Sequence, residues 1–129
     1  MPAYDLDAID RERFISLVTF RRTGVGVPTP VWFAVHDGRL WVFSEARAGK
    51  VKRLRNDARA RFAACNVRGK VHGPWHDARA EVVADADRVR EAYAALHAKY
   101  GWQMRVTDFL SRLTGRIHAR AILAVEPVA

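Results

Sequence analysis

The stretch from Pro28 to Leu54, PTPVWFAVHDGRLWVFSEARAGKVKRL, decides the fold of this chain. Alternating apolar residues on both sides of Asp37-Gly38 predict two strands and a tight turn, because Asp and Gly tolerate the positive φ of a primed hairpin turn. The second strand ends at Ser44, and a short helix begins at Gly49. Residues 28–54 therefore predict an antiparallel hairpin followed closely by a helix.

The start of this helix is a candidate anion site. Lys50, Lys52 and Arg53 fall in its first two turns, and Ser44 supplies a hydroxyl just upstream. Free backbone N–H groups at a helix start bind anions, and charged donors around them favour a phosphate. A plainer interpretation is that these cations form only the solvated face of an amphipathic helix and point outward.

The order of these features resembles the split β-barrel flavin-binding proteins related to pyridoxamine 5′-phosphate oxidase. The similarity is greatest to the branch that uses the deazaflavin coenzyme F420. In that family a strand ending in Ser or Thr precedes a helix start of the form Gly/Arg-Lys-x-x-x-Leu, whose lysine binds the cofactor phosphate. Ser44, Gly49, Lys50 and Leu54 occupy those positions here.

A second segment supports the same resemblance, which extends from about Phe14 to Val125. Thr29-Pro30-Val31-Trp32 matches the family strand that runs beside the flavin ring. The resemblance implies that these four residues bind the cofactor together with Ser44 and the helix start. It also implies a homodimer, because related barrels bind the cofactor in a groove between two subunits.

The alternation of apolar and polar residues along the rest of the chain predicts a mainly β fold. We expect one domain, residues 1–129, built as a six-stranded antiparallel split β-barrel of the FMN-binding-protein type with short helices. The predicted strands span residues 14–21, 29–36, 39–44, 61–66, 75–83 and 117–125. Asp85 is the predicted N-cap of a late helix that ends at Gly101, and a second helix, 106–113, is expected to stop at Gly115.

One departure from the family bears on the cofactor. The FMN oxidases carry an Arg and a Lys around the strand segment that binds FMN, and Pro28 and Phe33 stand in those places here. Because neither side chain binds phosphate, the resemblance favours F420, with FMN as the alternative. Trp75, which follows a Gly-Pro turn, is predicted to line the substrate side of the groove or to fill a dimer interface.

The net charge of +8 and the isoelectric point near 10.5 need an explanation. A basic groove would attract F420, which carries a phosphate and an oligoglutamate tail. A different class of function, a non-catalytic basic module that carries a flavin or binds nucleic acid, would also use this charge. The cations spread from Arg11 to Arg120 without a nucleic-acid-binding signature, so we predict no specific nucleic-acid partner.

Catalytic side chains are not evident, and their identities stay unknown at this level. The five histidines have no metal spacing, no serine has a nucleophile-elbow context, and Rossmann and P-loop motifs are absent. This pattern suits an oxidoreductase whose cofactor supplies the chemistry to a small-molecule substrate. The single cysteine, Cys65, and the acidic sequence MPAYDLDAID predict a cytoplasmic protein. We expect no membrane span, because no uninterrupted apolar stretch approaches the roughly 20 residues that a spanning helix needs.

Overall fold

A computed structural model of the protein describes residues 6–46, 48–114 and 120–128. Its strands are β1 (Phe14–Phe20), β2 (Gly26–Val31), β3 (Phe33–His36), β4 (Arg39–Glu45), β5 (Arg59–Cys65), β6 (His76–Val83) and β7 (Arg120–Pro127). Its helices are α1 (Leu6–Asp10), α2 (Gly49–Asn56), α3 (Ala86–Tyr100) and α4 (Trp102–Leu113). None of these helices is long and apolar enough to cross a membrane.

The strands form one antiparallel sheet in the order β2-β1-β5-β6-β7-β4-β3. The two edge strands, β2 and β3, are consecutive in the chain and separated only by Trp32. A sheet whose opposite edges are joined by one residue has to curl until those edges meet, which produces a barrel. The predicted mainly β, antiparallel split-barrel fold is therefore confirmed.

The strand expected across residues 29–36 is divided into two, so the described chain has seven strands where the sequence predicted six. Val31 pairs with Ile15 of β1, whereas Phe33 pairs with Val42 of β4. The Phe33 N–H donates to the Tyr100 hydroxyl at 3.0 Å. Tyr100, at the end of α3, thus accepts a backbone hydrogen bond at the point where the chain passes from one edge of the sheet to the other.

The predicted turn between β3 and β4 is present, with φ of 54° at Asp37 and 72° at Gly38. Positive φ at both positions is what a type I′ hairpin turn requires. The helix expected from Val106 already begins at Trp102, directly after the Gly101 cap of α3. The predicted helix end at Gly115 and the first residues of the last predicted strand, from Ile117, lie outside the described residues.

Two apolar clusters hold the fold together. The first fills the barrel, and α2 closes one end of it by burying Val51 and Leu54. The second, the outer cluster, lies between the sheet and the α3–α4 pair and includes Trp41, Leu96 and Met104. Full burial of a side chain of this size stabilises the fold by roughly 1.5–3 kcal/mol. Because core side chains fill the barrel, a large ligand has to bind on its outside.

Candidate anion-binding site

The start of α2 is open to an external anion. Ala48 is its N-cap residue, with an extended backbone and no side-chain hydrogen bond to the first N–H groups. The first turn contains no acidic residue. The Val51 and Lys52 N–H groups donate to the Ala48 carbonyl, so the N–H groups left for an external anion are those of Gly49 and Lys50. They carry the positive end of the helix dipole.

Arg53 folds back over this helix start. Its Nε donates to Thr19 Oγ1 at 2.7 Å, and Thr19 is fully buried on β1. An ideal Cβ built at Gly49 would lie only 2.7 Å from Arg53 Nη1. Glycine at position 49 therefore leaves the space that brings the guanidinium close to the open N–H groups.

Lys50 is half-buried beside this arginine, so the prediction that the cations all point outward is wrong for Lys50 and Arg53. Burial lowers the pKa of the Lys50 ammonium group, the charge of Arg53 lowers it further, and Glu45 partly opposes both effects. Burial also lowers the pKa of Arg53, and the neighbouring charge of Arg21 adds to this effect. The protonated cations thus oppose one another, and a bound anion would relieve their repulsion.

Ser44 and Lys52 flank this cluster in different environments. Ser44 is buried at the end of β4, where its hydroxyl donates to the Glu45 carbonyl at 3.3 Å. Lys52 is exposed on α2, as the solvated-face interpretation expects. The structure thus brings Gly49, Lys50 and Arg53 together at the start of α2, with Ser44 near the end of the preceding strand and Lys52 exposed.

The segment 29–31 lies on β2, which pairs with the strand that carries Thr19. Thr29 pairs with Leu17, Pro30 is exposed, and Val31 is buried in the barrel. Among the residues that the structure describes, the Thr29 hydroxyl is the one buried side-chain polar atom without a hydrogen-bond partner. A buried unsatisfied hydroxyl costs about 1–3 kcal/mol. A cofactor role for Thr29, Pro30 or Val31 stays a prediction.

The two tryptophans predicted for the site lie elsewhere on the barrel. The Trp32 ring stacks on Tyr100 of α3, with centroids 4.5 Å apart and an interplanar angle of 8°. Trp75 is partly exposed, and the Arg61 guanidinium lies 5.4 Å from its ring centroid. A cofactor role for either indole stays a prediction.

Sequence reasoning missed Thr19 and Arg21. Thr19 alternates with Ile15 and Leu17 on the buried face of β1, so a hydroxyl among apolar positions was the available signal. Arg21 follows β1 directly, and its sequence separation from Arg53 gave no indication that these two charges lie close enough to interact.

Other arrangements of polar groups do not suggest different chemistry. In residues 6–46, 48–114 and 120–128, no three His, Cys, Asp or Glu side chains are grouped so that they could hold a metal ion. A cavity of about 340 Å³ opens over β5 and β6, but its lining contains none of the predicted site residues. The α2 start is therefore the arrangement that best suits a phosphate-bearing cofactor, which it would bind and orient.

Comparison with solved structures shows the same fold at low sequence identity. HutZ, the heme storage protein from Vibrio cholerae, matches with a TM-score of 0.73 and 15% identity over 97% of this chain and 89% of that one. A conserved hypothetical protein from Mycobacterium tuberculosis matches with a TM-score of 0.72 and 18% identity, over 100% of this chain and 83% of that one. An F420 reductase matches with a TM-score of 0.64 and 16% identity, over 100% of this chain and 97% of that one.

Comparison with curated protein sequences gives no match. The model of one protein family, described as pyridoxamine 5′-phosphate oxidase, matches residues 5–129. That range includes every strand of the barrel and the whole candidate site. The chain belongs to the pyridoxamine 5′-phosphate oxidase family.

Proposed function

We propose that the protein is an oxidoreductase that binds coenzyme F420 and transfers a hydride between the deazaflavin and a small organic substrate. The observation that carries this proposal is the open start of α2 with Lys50 and Arg53 beside it. Family membership and the shared fold with an F420 reductase support a flavin-type cofactor.

In this proposal the side chains bind and orient the cofactor. Lys50 and the first N–H groups of α2 bind its phosphate, and Arg53, held in place by Thr19, adds a second charged donor. Lys52 at the exposed rim meets the anionic tail, and the buried Ser44 shapes the base of the site. The bound deazaflavin supplies the hydride chemistry, and the protein supplies position and electrostatics.

The side chains at positions 28 and 33 favour F420 over FMN, the alternative cofactor. Pro28 has no hydrogen-bond donor, and Phe33 is fully buried. Lys99 Nζ lies 3.6 Å from the centroid of the Phe33 ring and 3.2 Å from Asp10 Oδ1. Lys99 is thus already paired with Asp10, so it does not replace the cationic pair expected of an FMN oxidase.

We test the proposal by titrating the purified protein with F420 and with FMN while following fluorescence. Lys50→Ala is expected to weaken F420 binding roughly ten- to hundredfold, because a charged hydrogen bond contributes about 1.5–3 kcal/mol. Arg55→Ala is the matched control, since it removes one charge from an exposed position of the same helix. It should change the affinity by no more than about twofold to fivefold, as expected for screened surface charges.

Two results would contradict the proposal at different levels. Equal affinity of the wild-type protein and a folded Lys50→Ala variant would place the phosphate away from α2. If the protein purifies with FMN bound and does not bind F420, the proposed site would stand, but the cofactor would be FMN. F420 binding should also weaken with salt more steeply than FMN binding, because F420 carries more negative charge.

A further inference from the structure

Helix α4 directs its most apolar side toward solvent. Five of the nine large apolar side chains that are exposed in the described residues belong to this one helix. They recur every three or four residues, with one adjacent pair, and therefore share one face. We call them the α4 stripe: Trp102, Val106, Phe109, Leu110 and Leu113. Trp102 and Leu113, at its two ends, are 71% and 72% exposed. Side chains of this size together present several hundred Å² of apolar surface, roughly the extent that marks an interaction site.

The opposite face of α4 fixes the helix in this orientation. Met104 is fully buried in the outer cluster. The Arg120 guanidinium of β7 donates to Asp108 Oδ1 at 2.5 Å and to Ser111 Oγ at 2.6 Å. His97 of α3 lies 2.8 Å from the other oxygen of Asp108. Rotating the stripe inward would break this network and expose Met104, so the outward direction of the stripe is built into the fold.

Charge on the helix specifies what covers the stripe. Arg105 and Arg112 are exposed and lie seven residues apart, on the same edge of the stripe. In the described part of the chain neither guanidinium pairs with a carboxylate. The one acidic residue of α4, Asp108, is turned inward. The outer face of α4 is thus apolar with a positive edge, which complements an apolar surface that carries negative charge.

A second copy of the chain fits this face less well. In a two-fold pair of antiparallel α4 helices, each edge of one stripe would meet the same edge of the other. Arg105 and Arg112 of one copy would then lie beside the same arginines of the other, and such like-charge contacts are unfavourable. A bilayer has no such conflict, because its acyl region accepts the stripe while anionic headgroups meet the arginines.

We propose that α4 docks the protein onto an anionic bilayer surface, with the helix lying in the plane of the interface. The stripe enters the boundary between headgroups and acyl chains, and Arg105 and Arg112 contact lipid phosphates. Trp102, at the start of the helix, takes the interfacial position that tryptophan favours. The proposal does not depend on which cofactor the α2 site binds.

Sedimentation of the full chain with vesicles tests this proposal. The wild-type protein should bind vesicles of phosphatidylcholine mixed with phosphatidylglycerol and bind weakly to phosphatidylcholine alone. Phe109→Gln and Leu113→Gln should each lower the partition coefficient about tenfold, and Arg105→Gln and Arg112→Gln about fivefold each. Val67→Gln and Arg68→Gln, which change exposed residues of the turn after β5, are the matched controls and should bind as the wild type does.

A second measurement reports the depth of α4 and needs no loss of affinity. Vesicles with brominated acyl chains should quench the wild-type tryptophan fluorescence, and Trp102→Phe, which keeps the stripe apolar, should remove most of that quenching. Equal quenching in Trp102→Phe, absence of wild-type binding to phosphatidylglycerol vesicles, or equal losses in the loop controls would each overturn the proposal. Conversion of an oligomer into monomers by Phe109→Gln would assign the stripe to a protein interface instead, and would also overturn it.

Discussion

At the scale of single residues, the α2 site gathers positive charge at a cost to the folded protein. Lys50 and Arg53 both have lowered pKa values, first because they are buried and then because other cations lie nearby. The carboxylate of Glu45 opposes only part of this effect at Lys50, whose pKa stays lowered. Functional sites often keep unfavourable arrangements of this kind, because the ligand supplies the missing partner.

This cost predicts that removing the Lys50 charge stabilises the protein. Lys50→Met should raise the free energy of unfolding at pH 7 by about 0.5 kcal/mol, after allowing for screening at a half-exposed group. A lysine whose pKa is lowered by folding is disfavoured in its charged form, so the folded state bears the full penalty at neutral pH. The penalty disappears as the pH rises through the folded pKa toward the unfolded value of about 10.4.

Chemical denaturation of the wild type and Lys50→Met at several pH values checks this. The difference in the free energy of unfolding between the wild type and Lys50→Met should become smaller at alkaline pH. A variant that is less stable than the wild type at pH 7 would show that Lys50 stabilises the helix start instead.

The sequence identified part of this site and missed the rest for a physical reason. Gly49 and Lys50 are adjacent and follow a recognisable strand and loop, so their local pattern was sufficient. Thr19 and Arg21 reach the same place only because β1 runs past α2 in the closed barrel. That proximity depends on strand order, which alternation within one strand does not contain.

At the scale of elements, one side chain holds the junction between β2 and β3. The Tyr100 hydroxyl accepts from the Phe33 N–H and lies 2.8 Å from the Arg13 carbonyl oxygen and 2.9 Å from that of Phe33. Its ring stacks on Trp32, the residue that separates the two strands. The last residue of α3 thus replaces the hydrogen bonds that a continuous sheet would have supplied.

Tyr100→Phe is therefore expected to lower the free energy of unfolding by about 2 kcal/mol, because it keeps the stacked ring but leaves the buried Phe33 N–H without an acceptor. Burial raises the pKa of Tyr100 to about 12. Between about pH 10, where an unfolded tyrosine ionises, and pH 12, the folded state holds a proton that the unfolded state has lost. This contribution is complete below pH 10 and is lost as the pH rises toward 12.

Alkaline unfolding followed by circular dichroism measures both effects. The wild type should lose stability more steeply than Tyr100→Phe across that pH range. Parallel pH profiles, or a variant as stable as the wild type, would show that the hydroxyl does not hold the junction.

The alternation of apolar residues and the turn residues predicted most helices and strands. They did not predict that the strand at residues 29–36 is divided, or which side of α4 faces solvent. The Asp37-Gly38 turn is encoded by two adjacent residues, so it was predicted in full. The division at Trp32 depends on Tyr100, which is distant in sequence. The apolar spacing of α4 is equally compatible with an inward or an outward stripe, and the Arg120–Asp108 contact selects the outward one.

At the scale of the whole molecule, closure of the barrel determines where a cofactor can bind. The interior is filled by side chains such as Phe33 and Phe62, both fully buried. A tricyclic ring system therefore has to lie on the outer wall, where one of its faces would be left in water. We expect a second subunit to supply the missing wall, and a two-fold arrangement would give two equivalent sites.

The protein is accordingly expected to be a homodimer with one cofactor bound per chain. Light scattering should report about twice the chain mass of 14.6 kDa. Trp75, beside Arg61 on the outer wall of the sheet, is the predicted partner contact, so Trp75→Ala should shift the protein toward monomers and weaken F420 binding in parallel. Leu113→Gln, which changes only the α4 stripe, should leave both the mass and the cofactor affinity unchanged. A strict monomer that still binds F420 tightly would mean that one barrel wall suffices for the ring, because no second subunit would then be available to cover it.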